Sequence, residues 1–81
     1  MITYRNEGDS LFIYHGDHIT LGQFLKAHLA LSGGEAKHLL SSGGVLVNGE
    51  VDIRRGRKLR QGDTVRLGRQ CWQMQAYSSQ V

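Results

Sequence analysis

Two helical segments set between strand-forming segments predict an α+β fold, two short helices packed on a small, mostly antiparallel sheet. Three observations carry that expectation. Two capping boxes follow one another over residues 20–35, an Asn-Gly pair at 48–49 separates two β-forming runs, and apolar side chains alternate near the C-terminus. At 81 residues the chain holds one domain with one small core, because a chain this short hides only roughly 60% of its extended surface. The hydrophobic fraction is 40%, with 11 Gly and no Pro. The core therefore has to come from scattered Leu, Val and Ile with a few aromatics.

Taken in order, residues 1–18 read as a hairpin or a pair of edge strands: Ile2 to Arg5, a polar turn at 6–10, then Leu11 to His15. The period then changes to that of a helix. Thr20 is a cap, Gln23 three residues on completes its box, and Ile19 is placed to staple onto Phe24. Leu21, Phe24, Leu25 and His28 or Leu29 form one apolar stripe, which predicts a helix over about 21–30. Ser32 and Glu35 repeat the device. The second helix turns Ala36, Leu39 and Leu40 inward and Lys37 outward, and Gly43 ends it in the left-handed conformation.

Asn48-Gly49 suits the two positive φ values of a type I′ turn, so Val45 to Val47 and Glu50 to Ile53 are expected to form a hairpin. Val51 and Ile53 fall on one face of its second strand and the charged residues on the other. Residues 54–58 have no apolar anchor and a glycine at the centre, which predicts an exposed loop. Leu59 returns the chain to the core, 61–63 turn, and Thr64 to Leu67 form a strand with Val65 and Leu67 inward. A last strand over 71–77 turns Trp72, Met74 and Ala76 to one side, and residues 78–81 are expected to fray.

The net charge of +3 conceals a polarity. Residues 1–18 set Arg5 against Glu7, Asp9 and Asp17, a net −2, whereas residues 19–81 carry +5. Five of the nine basic residues in that second stretch, Arg54, Arg55, Arg57, Lys58 and Arg60, lie within seven positions. Such neighbours repel one another, and the guanidinium fork suits phosphate, so the cluster points to a polyanion: RNA, DNA or an acidic membrane surface. Gly33-Gly34 opens the second helix. Either its backbone N–H groups are left bare for an anion, or the glycines only make a tight turn between helices.

Other chemistries find little support. Cys71 is the one cysteine, so neither a disulfide framework nor a cysteine zinc cluster is available, and His15, His18, His28 and His38 lack the i, i+4 spacing of a helical metal pair. No P-loop order, paired carboxylates or nucleophile arrangement stands out, and no cofactor or small-molecule substrate is expected. The longest apolar run is four residues, 11–14, against about 20 for a membrane span, and the expectation is a cytoplasmic protein.

The ordered motifs Gln23-Phe24-Leu25-Lys26, Ser32-Gly33-Gly34-Glu35-Ala36-Lys37, Val45-Leu46-Val47-Asn48-Gly49-Glu50 and Arg54-Arg55-Gly56-Arg57-Lys58-Leu59, followed by Gly62-Asp63, resemble the S-four-like (alpha-L) RNA-binding domain. Within that family they are most similar to small stand-alone bacterial proteins called YaaA-like. The resemblance covers about residues 19–68, leaving 1–18 as an N-terminal strand extension and 69–81 as a C-terminal strand and tail. It implies the alpha-L RNA-binding fold, with the two helices and the adjacent β loop forming one RNA-binding face. On that face it implies Lys37 as a helix contact and Arg54, Arg55, Arg57, Lys58 and Arg60 as loop contacts. The general pattern has basic residues where this chain has Thr20 and Gly33, so the helix-borne part of the surface is poorer here.

Together these readings describe a non-enzymatic protein that binds structured RNA, ribosomal or transfer RNA being the candidates, by shape and phosphate contacts. Base readout is not expected to dominate, because the sequence shows no aromatic pair on adjacent strands of the kind that stacks splayed bases. The rival readings are an RNA-delivery subunit of an RNA-processing enzyme complex and a basic adaptor for acidic protein or membrane surfaces. Membrane binding is disfavoured because neither helix has a basic amphipathic face.

Overall fold

The computed structural model describes residues 9–77. The expected strand at Ile2 to Arg5 and the C-terminal tail lie outside them. The elements are β1 (Asp9–Tyr14), β2 (Ile19–Thr20), α1 (Leu21–Leu29), α2 (Gly33–Ser41), β3 (Leu46–Val47), β4 (Glu50–Val51), β5 (Lys58–Leu59), β6 (Thr64–Leu67) and β7 (Gln70–Ala76).

Both helices begin as their sequences dictate. Thr20 Oγ1 accepts from the Gln23 N–H at 3.2 Å while Gln23 Oε1 accepts from the Thr20 N–H at 2.9 Å. Ser32 and Glu35 repeat the exchange at 3.1 and 2.8 Å. Two orphan donors per helix are satisfied this way within four residues of chain. The turn between the helices takes its left-handed residue at Ala30, φ 57°, and Gly43, φ 80°, follows α2.

The main sheet has the order β1-β7-β6-β3-β4, and all its pairings are antiparallel except β1 with β7, which run parallel. β2 and β5 form a separate antiparallel pair. Leu21, Phe24 and Leu25 of α1 and Ala36 and Leu40 of α2 pack with Val45, Leu59, Val65, Trp72 and Met74 in one buried cluster, against which Ile19 also packs. Phe12, Phe24 and Trp72 meet edge to face at 4.8 and 5.4 Å.

The Asn48-Gly49 turn forms with φ values of 52° and 86°. Asn48 has a second use: its Oδ1 accepts from the Thr64 N–H at 3.0 Å and its Nδ2 donates to Asp63 Oδ1 at 3.1 Å, tying the hairpin tip to the turn before β6.

Past that turn the alternation holds, with Val51 and Ile53 on one face and Asp52 on the other, and the apolar face is the outer one. Val51 and Ile53 are 56% and 62% exposed, whereas Asp52 between them is 7% exposed. Of the charged residues on the second face Asp52 is buried, while Glu50 and Arg54 stay exposed. β4 is a two-residue edge strand, and what decides its orientation is a set of cationic donors that reach Asp52 from residues 54 and 57.

Since each capping box acts on its own helix end, Ser32→Ala is expected to cost about 1 kcal/mol. For a domain of this size that is a fall in Tm of roughly 4–8 °C by thermal melting, with the fold retained.

Candidate nucleic-acid interface

Segment 54–60 leaves the β4 edge and returns through β5. Polar contacts fix it at three points. At its start, Asp52 Oδ1 accepts from the Arg54 N–H and Nε, both at 3.0 Å, and Oδ2 accepts from Arg54 Nη2 at 2.8 Å and Arg57 Nη1 at 2.9 Å. In its middle, the carbonyls of Arg57 and Arg55 accept from the Leu21 and Gly22 N–H groups at 2.8 and 2.9 Å, the first two amides of α1. At its end, Asp63 Oδ2 accepts from the Arg60 N–H at 2.9 Å. The segment is exposed, as its lack of an apolar anchor predicts, and it is docked on α1 by its backbone.

The side-chain hydrogen bonds from Arg54 hold the Asp52 carboxyl well below the usual carboxylate range. Burial pushes the other way, and the Arg54 amide and Arg57 add to the lowering. Two of the five clustered cations are thereby committed to folding, and Arg57 is only 29% exposed. Arg55 and Lys58 are exposed and have no ion-pair partner among the described residues. Arg60 lies 3.6 Å from Asp17, a surface pair that contributes little.

α2 offers a different chemistry. At the start of α1 the first amides are occupied by segment 54–57, but among the described residues the Gly33 and Gly34 N–H groups of α2 have no acceptor. Neither glycine takes a positive φ, and a Cβ at either would meet open space, so the turn does not require them. They follow the end of α1 opposite to the one on which the segment docks. Lys37 is exposed one turn into α2. No hydrogen bond or ion pair joins it to segment 54–60 among the described residues.

Sequence reasoning misses Gly22 and Asp52. A Cβ at Gly22 would lie 3.2 Å from the Arg55 carbonyl oxygen and 3.3 Å from Arg55 Cβ, so the bare backbone is what lets segment and helix meet. Its signal is a glycine inside a strong helical stripe, a loss of up to about 1 kcal/mol against Ala unless close packing requires it. Asp52 has a weaker one: an acid two residues before Arg54 and five before Arg57.

The family model described as S4 domain matches residues 12–75, which takes in half of β1 and most of β7 as well as the helices and the basic segment. The chain belongs to the S4 domain family. Over 50 residues it is 62% identical to the "Probable ribosome maturation protein RlbA" of Bacillus subtilis (strain 168), an alignment covering 60% of this chain and 70% of that protein. In this S4 domain the docked segment, the α1 start and the α2 start are therefore parts of one family architecture. Among the described residues no helix is long and apolar enough to cross a membrane.

A carboxyl group whose folded pKa is depressed stabilises the fold above its unfolded value, here near 3.8, and the contribution is lost as pH falls below that value. Asp52→Asn is expected to cost about 1–3 kcal/mol at neutral pH. The gap to wild type should be flat above about pH 5 and shrink on acidification. Urea unfolding of both proteins from pH 3 to 7 checks this, and a gap independent of pH would rule out the carboxylate clamp.

Proposed function

We propose that this S4 domain binds structured RNA, ribosomal RNA foremost, by phosphate contacts and helix shape, as a cytoplasmic binding protein with no reaction of its own. The observation that carries the reading is the docked basic segment: Arg55, Lys58 and Arg60 stand exposed on a backbone already held by α1, Asp52 and Asp63. Cations held in place lose less freedom on binding than cations on a mobile loop, and their fixed spacing suits the regular phosphates of an RNA helix. Membership of the S4 family supports RNA among polyanions. The name of the relative, a ribosome maturation protein, supports ribosomal RNA among RNAs.

The bare amides of Gly33 and Gly34, with Lys37 one turn on, form the second contact in this reading. A helix start attracts phosphate, and glycine there allows the RNA backbone to approach the peptide closely. Glu35 leaves room for it by turning its carboxylate back onto the Ser32 N–H.

A stem-loop RNA is expected to outcompete an unstructured RNA of equal length and charge. In the triple variant Arg55→Gln, Lys58→Gln, Arg60→Gln the melting temperature should be nearly unchanged, since exposed charges contribute little to stability. Affinity for the stem-loop should fall, and the slope of log affinity against log salt should flatten by roughly 0.7–0.9 for each phosphate that is no longer neutralised. Filter binding at several salt concentrations measures both, and unaltered slope and affinity would show that RNA is held elsewhere.

The glycine contact predicts opposite signs for stability and binding. Gly33→Ala with Gly34→Ala is expected to stabilise the fold by up to about 1 kcal/mol, because Ala is the better helix former and space is open. The same change should weaken RNA binding by filling the approach to the amides. A stabilised variant with full affinity would remove Gly33 and Gly34 from the interface.

A further inference from the structure

The outer face of the β1-β7 ribbon carries an aromatic pair at its end. Tyr14 pairs with Ala76 in parallel register, and the Tyr77 N–H donates to the Tyr14 carbonyl oxygen at 2.7 Å, which carries the register one step further. His15 and Tyr77 are thereby set opposite one another, with ring centroids 4.6 Å apart and planes tilted by 33°. Neither is a core residue. His15 is exposed and Tyr77 is 53% exposed, on the face opposite the one from which Tyr14, Trp72 and Met74 enter the core. The sequence pattern predicts no aromatic pair on adjacent strands, and the structure corrects it: parallel pairing of the first and last described strands brings together two rings from opposite ends of the chain.

Two contacts join this pair to the basic segment. Arg60 Nη2 lies 3.6 Å from the carboxylate of Asp17, two residues beyond His15. Gln61, next to Arg60, accepts the N–H of Ala76, next to Tyr77, at 2.8 Å through Oε1. On the other side His15 borders an open hollow of about 660 Å³ between the outer edge of β1 and α1, where His18, Gln23 and Lys26 supply polar groups and Ile13 and Ala27 apolar ones. Exposed rings, a hollow within the size range of small-ligand sites and cations on both sides form the combination that holds a base by its π-face and its phosphates by charge.

We propose that His15 and Tyr77, with Arg60 beside them, form a stacking site for one unpaired nucleobase of the bound RNA. The proposal rests on the RNA-binding reading above and adds to it: the basic segment follows the paired stem, and the ring pair receives a base displaced from it. Stacking tolerates any base, so the site selects for an unpaired nucleotide at a fixed distance from the stem rather than for a sequence.

Two hairpin RNAs test this, one with a fully paired stem and one identical except for a single bulged 2-aminopurine, whose fluorescence falls when it stacks. Wild-type protein should bind the bulged hairpin more tightly and quench it. Tyr77→Ala and, independently, His15→Ala should weaken binding of the bulged hairpin, roughly 5- to 150-fold for removal of one base stack, and abolish quenching, while affinity for the paired hairpin stays as in wild type. Tyr77→Phe should keep both properties. Equal wild-type affinity for the two hairpins without quenching, or equal losses on both in the Ala variants, would overturn the stacking site and leave the RNA-binding reading standing. If neither hairpin binds wild-type protein, both fail together.

Discussion

The carboxylate of Asp52 and the first two amides of α1 hold opposite sides of one short stretch of chain, and the shape of the basic surface depends on that grip. Five cations in seven residues would spread apart if left to themselves, and Gly56 at their centre offers the backbone many conformations. Asp52 engages two of them through its side-chain oxygens, a geometry in which each oxygen accepts two bonds. Removing an arginine from this buried carboxylate is costly, because Asp52 keeps its charge with fewer donors and little solvent. The α1 amides act on the backbone instead, and the positive end of the helix dipole meets carbonyl oxygens rather than an external anion.

That use of α1 separates the two helix starts in function. Where the family pattern has a basic residue at the head of the first helix, this chain has Thr20, which caps the helix, while the amides just after it hold the protein's own carbonyls. At α2 the cap is equivalent but, among the described residues, the amides of Gly33 and Gly34 meet no acceptor. The same local motif thus serves as a clamp in one helix and as an unoccupied donor pair in the other. What differs is whether another segment of the chain arrives.

A domain of this size has little apolar area to bury, and no disulfide is available to it. Paired side chains at the turns supplement the packing. Asn48 spans from the hairpin tip to Asp63 and Thr64, Asp63 holds Arg60 by its other oxygen, and Gln61 reaches the end of β7. Most of these contacts border the basic segment, so much of the polar order of the fold lies beside the surface proposed to bind RNA.

Both capping boxes, the Asn-Gly turn, the inward side of β6 and β7 and the location of the basic cluster were legible in the sequence. Each rests on interactions within about four residues or on a strand period that one core face enforces. The burial of Asp52 was not, because alternation assigns the apolar side of a strand to the core, and the two exposed β-branched residues beside Asp52 satisfy the same pattern in reverse. Nor could periodicity show that Gly22 lies under Arg55, that β1 runs parallel to β7, or that His15 meets Tyr77. The sequence by itself determined the two helices, the hairpin turn, the last two strands and the chemistry they carry. The tertiary structure decided which cations are bound internally, which amides remain open and which rings meet, because each of those depends on contacts between residues far apart in the chain.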